Sequence, residues 1–347
     1  MKSKITIREV AQAAGVSLGT ASRALNRSGP VSDEAVAAVK RAAQQLGYEP
    51  NAVARSLRTR SSGVVGMLVS DIANPLYAQI VKAVEAELQA AGHPLLLANT
   101  HNDARREKSL IDLFRARRVD GLILGPCEAE APKLLEQLEQ KLPLVLLDRD
   151  FGPAGTGVHV DHYNGALQAT RYLLNLGHRR IALLTPGSVL RPGRDRIAGF
   201  EEAHREKGLK PVAKLVRAEH ASMDFAFSEA LALLSLPLPP TAFLCLGTRI
   251  LSGVLQAVRH AGRTVPGDVS VVSVGDTDLS RLFSPSITSL AWDLDSVGKS
   301  LAELLLKRLT RDGRTEPQRI VITTQLILRE SCGPAPEVAA ERTNRPK

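Results

Sequence analysis

Residues 6–26 read TIREVAQAAGVSLGTASRALN, a stretch that divides into two short helices at a single glycine. Thr6 stands where it can cap the first helix, with Glu9 three residues on to close a capping box. Ile7, Val10, Ala11 and Ala14 recur at helical spacing and give that helix one apolar face. Gly15 falls where a tight turn needs a backbone free of a Cβ penalty, Val16 plugs the corner, and Ser17 can cap the second helix. The second helix buries Ala21, Ala24 and Leu25 and turns Leu18, Gly19, Thr20, Ser22, Arg23 and Asn26 outward. Small residues at the crossing let the helices meet steeply, and the outward face carries hydroxyls, an amide and a guanidinium. This is the layout of a helix-turn-helix whose second helix enters a DNA major groove. A helical hairpin that only packs against another element shares the same pattern, so the choice falls to the rest of the chain.

The charge distribution favours DNA. Of a net charge of +9, residues 1–61 hold ten Lys/Arg against four Asp/Glu, and the remainder is nearly balanced. The cationic excess thus sits on the helical head, where phosphates would be met. At 347 residues and 44% hydrophobic content, the chain suits two or three domains with real cores. Cys127, Cys245 and Cys332 lie far apart, without metal-binding spacing, and an odd, sparse count fits a reducing compartment. The start, MKSKITIREV, lacks the apolar stretch of a signal peptide, and no apolar run approaches the ~20 residues of a membrane span. A soluble, cytoplasmic, nucleoid-associated protein is expected, with no membrane partner.

Beyond the two helices, Ser32 opens a third, with Asp33 and Glu34 in its first turn and Gly47 as its stop, to complete a headpiece over residues 1–48. Residues 49–63 then read as a short helix (AVARSL) and a basic, Ser-rich linker, too short to be stable alone. From Val64 onward, short apolar runs such as VVGMLVS, VDGLILG and LPLVLLD alternate with helical stretches, as buried parallel strands and their crossovers do. A second such series, RIALLT, VAKLVRA, TAFLCLG and DVSVVSV, follows HVDHYNG. The expected fold class is a small all-α head plus an α/β core of two doubly wound subdomains facing across a cleft. The boundaries read as 64–161 with 293–323 for one subdomain, 162–292 with 324–332 for the other, and a disordered tail over 333–347.

VAQAAGVSLGTASRALN, LGYEPNAVARSL, RVDGLIL, LPLVLLDRD, NLGHRRIALL, RDRIAGFEEAH and GRTVPGDVSVVSVGD occur in order across residues 5–330. In these phrases the chain resembles the lactose-repressor family of bacterial transcription regulators, whose core shares its fold with periplasmic sugar-binding proteins. The resemblance places Leu18, Gly19, Thr20, Ser22 and Arg23 on the recognition helix, with Thr6, Ser17, Asn26 and Ser32 completing the DNA-facing set. Arg23 can fork onto guanine or a phosphate; Leu18 can touch a thymine methyl, and Gly19 makes room. Alternatively, Leu18 and Gly19 read nothing and Arg23 does most of the work. Asn51, Ala54 and Leu57 match a hinge helix that enters the minor groove, where the leucine wedges between base pairs. Two hinges must meet at the operator centre, which implies a homodimer on a near-palindromic double-stranded site.

For the cleft, the resemblance implies an effector site of Asp71, Asn74, Tyr77, Arg149, Arg196 and Trp292. Two positions where the family commonly holds a sugar-binding aspartate differ here, reading Thr248 and Gly275. Asp276 either takes over that role or is a loop residue. With Arg149 and Arg196 kept, and Arg191, Arg194 and Arg249 nearby in sequence, the cleft reads as cationic. A sugar acid or phosphorylated sugar is expected as effector rather than a neutral sugar; the other reading leaves Arg191, Arg194 and Arg249 as solvated surface charges. The expected function is an effector-controlled transcription repressor that needs no cofactor or metal. A solute-binding protein of the same core fold is the alternative, against which the fused basic head argues. An enzyme is not expected, since GxGxxG after a strand, GxxxxGK[ST], GxSxG and HExxH are all missing.

Overall fold

The computed structural model describes residues 5–26, 29–48, 61–127, 138–149, 155–220, 222–310 and 316–336. The chain divides into two compact units, Met1–Gly63 and Val64–Lys347. In the first, helices α1 (Ile7–Ala13), α2 (Leu18–Asn26) and α3 (Asp33–Leu46) enclose a core of Val10, Ala11, Ala21, Ala24, Val39, Ala42 and Ala43. Alanines dominate that core, so the three axes can approach closely. The Glu9 carboxylate accepts from the Thr6 N–H at 2.6 Å and from its hydroxyl at 2.9 Å, securing the start of α1. Gly15 turns the chain at φ 65°. Ser17 and Ser32 cap α2 and α3 by accepting from Thr20 N (3.1 Å) and Ala35 N (3.3 Å).

The second unit holds two six-stranded sheets, and its hydrophobic runs explain them. Strands β1 (Val65–Val69), β3 (Gly121–Leu124), β4 (Leu144–Leu147) and β5 (Gly157–Val160) are buried along their whole length, while β2 (Leu95–Asn99), at the edge, is half-buried. The sheet order is β11-β5-β4-β3-β1-β2, every pairing parallel, with β11 (Arg319–Ile322) arriving from far downstream. The second sheet repeats the plan with β6 (Ile181–Leu184), β7 (Val216–Arg217), β8 (Ala242–Cys245), β9 (Ser270–Val274), β10 (Thr288–Ala291) and β12 (Gln325–Ile327). Its order is β12-β10-β9-β8-β6-β7, parallel except for β12. In each sheet the first strand lies between the second and the third, the order of an open doubly wound fold. Of the expected strand VAKLVRA only Val216–Arg217 forms, because β7 is an edge strand and Leu215 just before it is spent on a buried 3₁₀ turn.

Helices cover both sheets. Those needed below are α4 (Pro75–Ala90), α5 (Ala104–Ala116), α6 (His162–Asn175), α7 (Arg191–Glu206), α8 (Met223–Leu234), α9 (Thr248–His260), α10 (Asp278–Leu282) and α11 (Leu294–Thr310). The chain passes between the sheets three times, after β5, after β10 and between β11 and β12. We call the first sheet with its helices lobe 1 and the second lobe 2. Helix α11 returns to lobe 1 and lies so close to α4 that a Cβ at Gly298 would stand 2.5 Å from Ala83 Cβ and 2.7 Å from the Ile80 carbonyl.

The first residues of the tail expected to be disordered, 333–336, are among the described residues. Gly333 N donates to Ser270 Oγ at 3.0 Å and Ala335 N to the Leu176 carbonyl at 2.9 Å, so residues 333–336 are bound to lobe 2. Beneath them the buried His178 joins Thr241 Oγ1 (2.9 Å) and Ser270 Oγ (3.0 Å). Residues 337–347 and the hinge positions Asn51, Ala54 and Leu57 lie outside the described residues. No described helix is long and apolar enough to cross a membrane.

Gly298→Ala should lower stability by about 1–3 kcal/mol, because overfilling against a backbone carbonyl outweighs the gain in helix propensity. Urea unfolding would show it as a lower midpoint with an unchanged slope; an unchanged midpoint would mean that α4 and α11 can separate at little cost.

Candidate functional site

The outer face of α2 carries Leu18, 44% exposed, beside Gly19 and Arg23. The Arg23 side chain runs alongside Gly19 and past Gly29, where a Cβ would approach its Cδ to 3.3 Å. Two glycines thus leave the guanidinium room to extend. Neighbouring polar groups are held back by the helix itself. Thr20 Oγ1 pairs with Ser17 Oγ at 2.9 Å, and Asn26 Nδ2 donates to the Ser22 carbonyl at 2.7 Å. Thr6 Oγ1 is likewise engaged by Glu9. Arg23 and Leu18 are therefore exposed side chains of this face that no hydrogen bond among the described residues holds back.

In the second unit, the carboxyl ends of both sheets meet at a cavity of about 170 Å³ between the lobes. Asn74, Tyr77, Arg149, Arg196, Thr248 and Trp292 all line it. Asn74 comes from the start of α4, where its Oδ1 caps Leu76 N at 3.1 Å and also accepts from Thr248 Oγ1 of lobe 2 at 3.2 Å. Arg149 follows β4; its Nε donates to the Pro126 carbonyl and its Nη1 to the Asp148 carbonyl, both at 2.9 Å. Arg196, on α7, donates through Nη1 to the Leu246 carbonyl at 2.9 Å. Its Nε and the Trp292 Nε1 are buried and have no hydrogen-bond partner among the described residues. Burial brings the Arg196 guanidinium down to about 10, which leaves it charged at neutral pH.

Three expected effector residues do not reach the cavity. Asp71 and Arg249 pair with each other at 2.9 Å outside it, tying lobe 1 to lobe 2. Asp276 is held by Arg281 at 3.0 Å and by Arg329 and is not among the lining residues. The wider arginine group also fails to converge. Arg191 pairs with Asp195 at 3.2 Å, and Arg194 donates to the Val189 carbonyl. Gly275 brings the lobes together instead of binding, since its missing Cβ would stand 2.9 Å from Leu76 Cδ2.

Four polar lining residues escaped the sequence reading, Ser70, Asn102, Asp148 and His162, of which the last two carry titratable groups. Asp148 takes φ 54°, a conformation an aspartate tolerates better than most side chains. Its Oδ1 accepts from Val160 N at 3.1 Å and its Oδ2 lies 2.7 Å from His162 Nε2. Burial opposes ionisation of Asp148, but His162, Arg149 and the Val160 N–H more than offset it and hold the carboxyl well below its ordinary range. Burial likewise outweighs the pull of Asp148 on His162 and keeps the imidazole below its usual 6.5. Asp148 stood inside the quoted LVLLDRD and His162 inside HVDHYNG; only the position of each just past a strand end could have flagged them.

Residues 6–51 match the family described as bacterial regulatory proteins, lacI family, and residues 170–332 match a periplasmic binding protein-like domain. An HTH-type transcriptional repressor PurR of Escherichia coli O139:H28 is 34% identical over 337 residues, covering 95% of this chain and 98% of that protein. The chain belongs to the lacI family. A PurR repressor of Haemophilus influenzae (strain PittEE) is 32% identical over 94% of the chain and 98% of its own length. Among solved structures, a CelR–cellobiose complex shares 32% identity with a TM-score of 0.71, covering 94% of this chain and 99% of its own. A lac repressor dimer bound to operator and the anti-inducer ONPF shares 26% with a TM-score of 0.83, covering 95% and 99%. As a lacI-family member the protein is a DNA-binding transcription repressor with a helix-turn-helix head and an effector-binding core.

The buried histidines of this lacI-family core set a pH dependence. His162, His178 and His204 are all lowered by burial from 6.5. Below about pH 6.5 the unfolded chain binds these protons and the folded core resists them, so stability falls as pH falls. Glu139 and Asp195, raised by burial, act the opposite way but from the carboxylate range upward. The urea midpoint should therefore be lower at pH 6.0 than at pH 7.5; an equal or higher midpoint at pH 6.0 would contradict burial of neutral imidazoles.

Proposed function

We propose that the protein is a homodimeric repressor of a near-palindromic operator, controlled by a small acidic effector seated between Arg149 and Arg196. The observation that carries the effector class is that two buried guanidiniums line one small cavity, where Asp148 is the only carboxylate among the described lining residues and is already bonded. Arg196 still has a buried Nε–H without a partner, and a carboxylate or phosphoryl oxygen is the acceptor such a group suits best. The starts of α4, α6, α7 and α9 all contribute lining residues, so four helix N-termini add positive potential. Walls of Leu76, Ile80, Val274 and Trp292 favour a compact molecule with an apolar or sugar-ring face.

The solved relatives leave room for the opposite outcome. CelR was solved with cellobiose, a neutral sugar. Titration calorimetry against sugar acids, sugar phosphates and their neutral parents separates the readings. Binding of an acid, weakened about tenfold or more by Arg196→Gln, is expected from the loss of charge-assisted bonds. Binding of neutral sugars with acids excluded would overturn the effector class.

For DNA, we propose that Arg23 and Leu18 read bases, that Thr6, Ser17, Gly19, Thr20, Ser22, Asn26 and Ser32 seat the head on the backbone, and that Asn51, Ala54 and Leu57 act in the minor groove. Selection from a randomised duplex pool should return one near-palindrome bound by two protomers. Leu57→Ala should then weaken that site at least tenfold while leaving binding to a single half-site nearly unchanged. Salt-sensitive binding with no preferred sequence, with or without an acid effector, would sink the operator reading.

A further inference from the structure

The Asp148–His162 contact continues into a third residue. Arg196 Nη2 lies 3.3 Å from His162 Nδ1, on the other side of the ring from Asp148. Asp148 follows β4 in lobe 1, whereas His162 opens α6 and Arg196 lies on α7, both in lobe 2. An arginine has no acceptor, so the Nδ1 it meets must offer a lone pair; the ring's proton then belongs on Nε2, where the carboxylate accepts it. One neutral tautomer therefore satisfies both ends of the chain. All three side chains line the cavity, and His162 and Arg196 are 3% and 8% exposed. We infer that His162 is a positioning residue of the effector cavity: Asp148 of one lobe fixes its Nε2–H, so that its bare Nδ1 accepts from Arg196 and aims the guanidinium.

The charged surroundings define what a proton on His162 does. Asp148, just past β4, and Arg196 and Asp195, on α7, act on the ring; Arg149 lies beside Asp148, Arg191 pairs with Asp195, and the Trp292 indole stands edge-on to the imidazole. Protonation places an N–H at Nδ1 against the Arg196 guanidinium, removes the acceptor and sets two cations side by side. Arg196 is then released from its aim. Its Nη1 bond to Leu246 remains, so the arginine pivots instead of leaving the cavity. The use of Arg196 to grip an acid rests on the preceding reading; the three-residue chain does not.

Trp292, the only tryptophan, reports this chemistry directly, because its ring centroid lies 5.9 Å from that of His162 and a protonated imidazole quenches indole emission. Emission of the full-length protein would be followed from pH 8 to 5, with thermal melts at pH 7.5 confirming that each variant is folded. The wild type should lose emission in a one-proton step below the ordinary histidine range, and His162→Gln should be flat. Arg196→Gln, which removes the neighbouring cation, should move the midpoint up by about half a pH unit or more, and Asp148→Asn should move it down by a similar amount. A step that persists in His162→Gln, an Arg196→Gln midpoint that stays or falls, or flat emission in both wild type and Arg196→Gln would overturn the inference. If His162→Gln does not fold, the opposite shifts of the other two variants carry the test. These readings need no effector. A confirmed chain in a protein that binds no acid would sink the effector class alone, and acid binding with unmoved midpoints would sink the chain alone.

Discussion

Three passages of the chain between two largely parallel sheets decide where polar chemistry can be placed in this core. Strands buried on both faces have no room for charge, so the residues just past their carboxyl ends take it. Ser70 follows β1, Asp148 and Arg149 follow β4, His162 follows β5, and Thr248 follows β8. Because the sheets share one topology and their ends face each other, these short segments meet at one cavity. Everything inferred about the effector follows from that convergence.

Within the cleft, pairing decides which charges remain available. Five arginines lie near it in sequence, and three are taken up by Asp195, Asp71 and the Val189 carbonyl. The exposed Arg249–Asp71 pair contributes at most about 1 kcal/mol, so it biases the lobes toward each other without locking them. Arg149 and Arg196 are left in the wall, where removal from water makes each remaining N–H a strong donor. A histidine held neutral beside them avoids a third cation.

Much of this was legible from residue order. The headpiece is written locally, in Gly15, in the serine caps and in an alanine-rich interface. The buried strands are equally plain, because a run such as LVLL suits little else. Partnerships formed over long separations were not legible. Arg329 reaches Asp276 across 53 residues and Arg249 meets Asp71 across 178. Both withdraw residues from the effector site expected from the sequence. His162 was passed over for a related reason: its significance lies in what stands on either side of its ring, and both neighbours come from other elements. The strap over residues 333–336 escaped notice because its bonds run through backbone groups, which composition does not reveal.

Gly275 bears on how the effector preference of this cleft could be redesigned. The resemblance places a sugar-binding aspartate at this position, and writing one here meets two costs. The backbone holds φ 85°, a conformation that favours glycine, and the new Cβ would stand 2.9 Å from Leu76 Cδ2. The obstructing atom is the tip of a flexible side chain, so an aspartate has to displace Leu76 from its seat against lobe 2. A carboxylate and a close-fitting seam thus compete for the same space at this corner of the cleft.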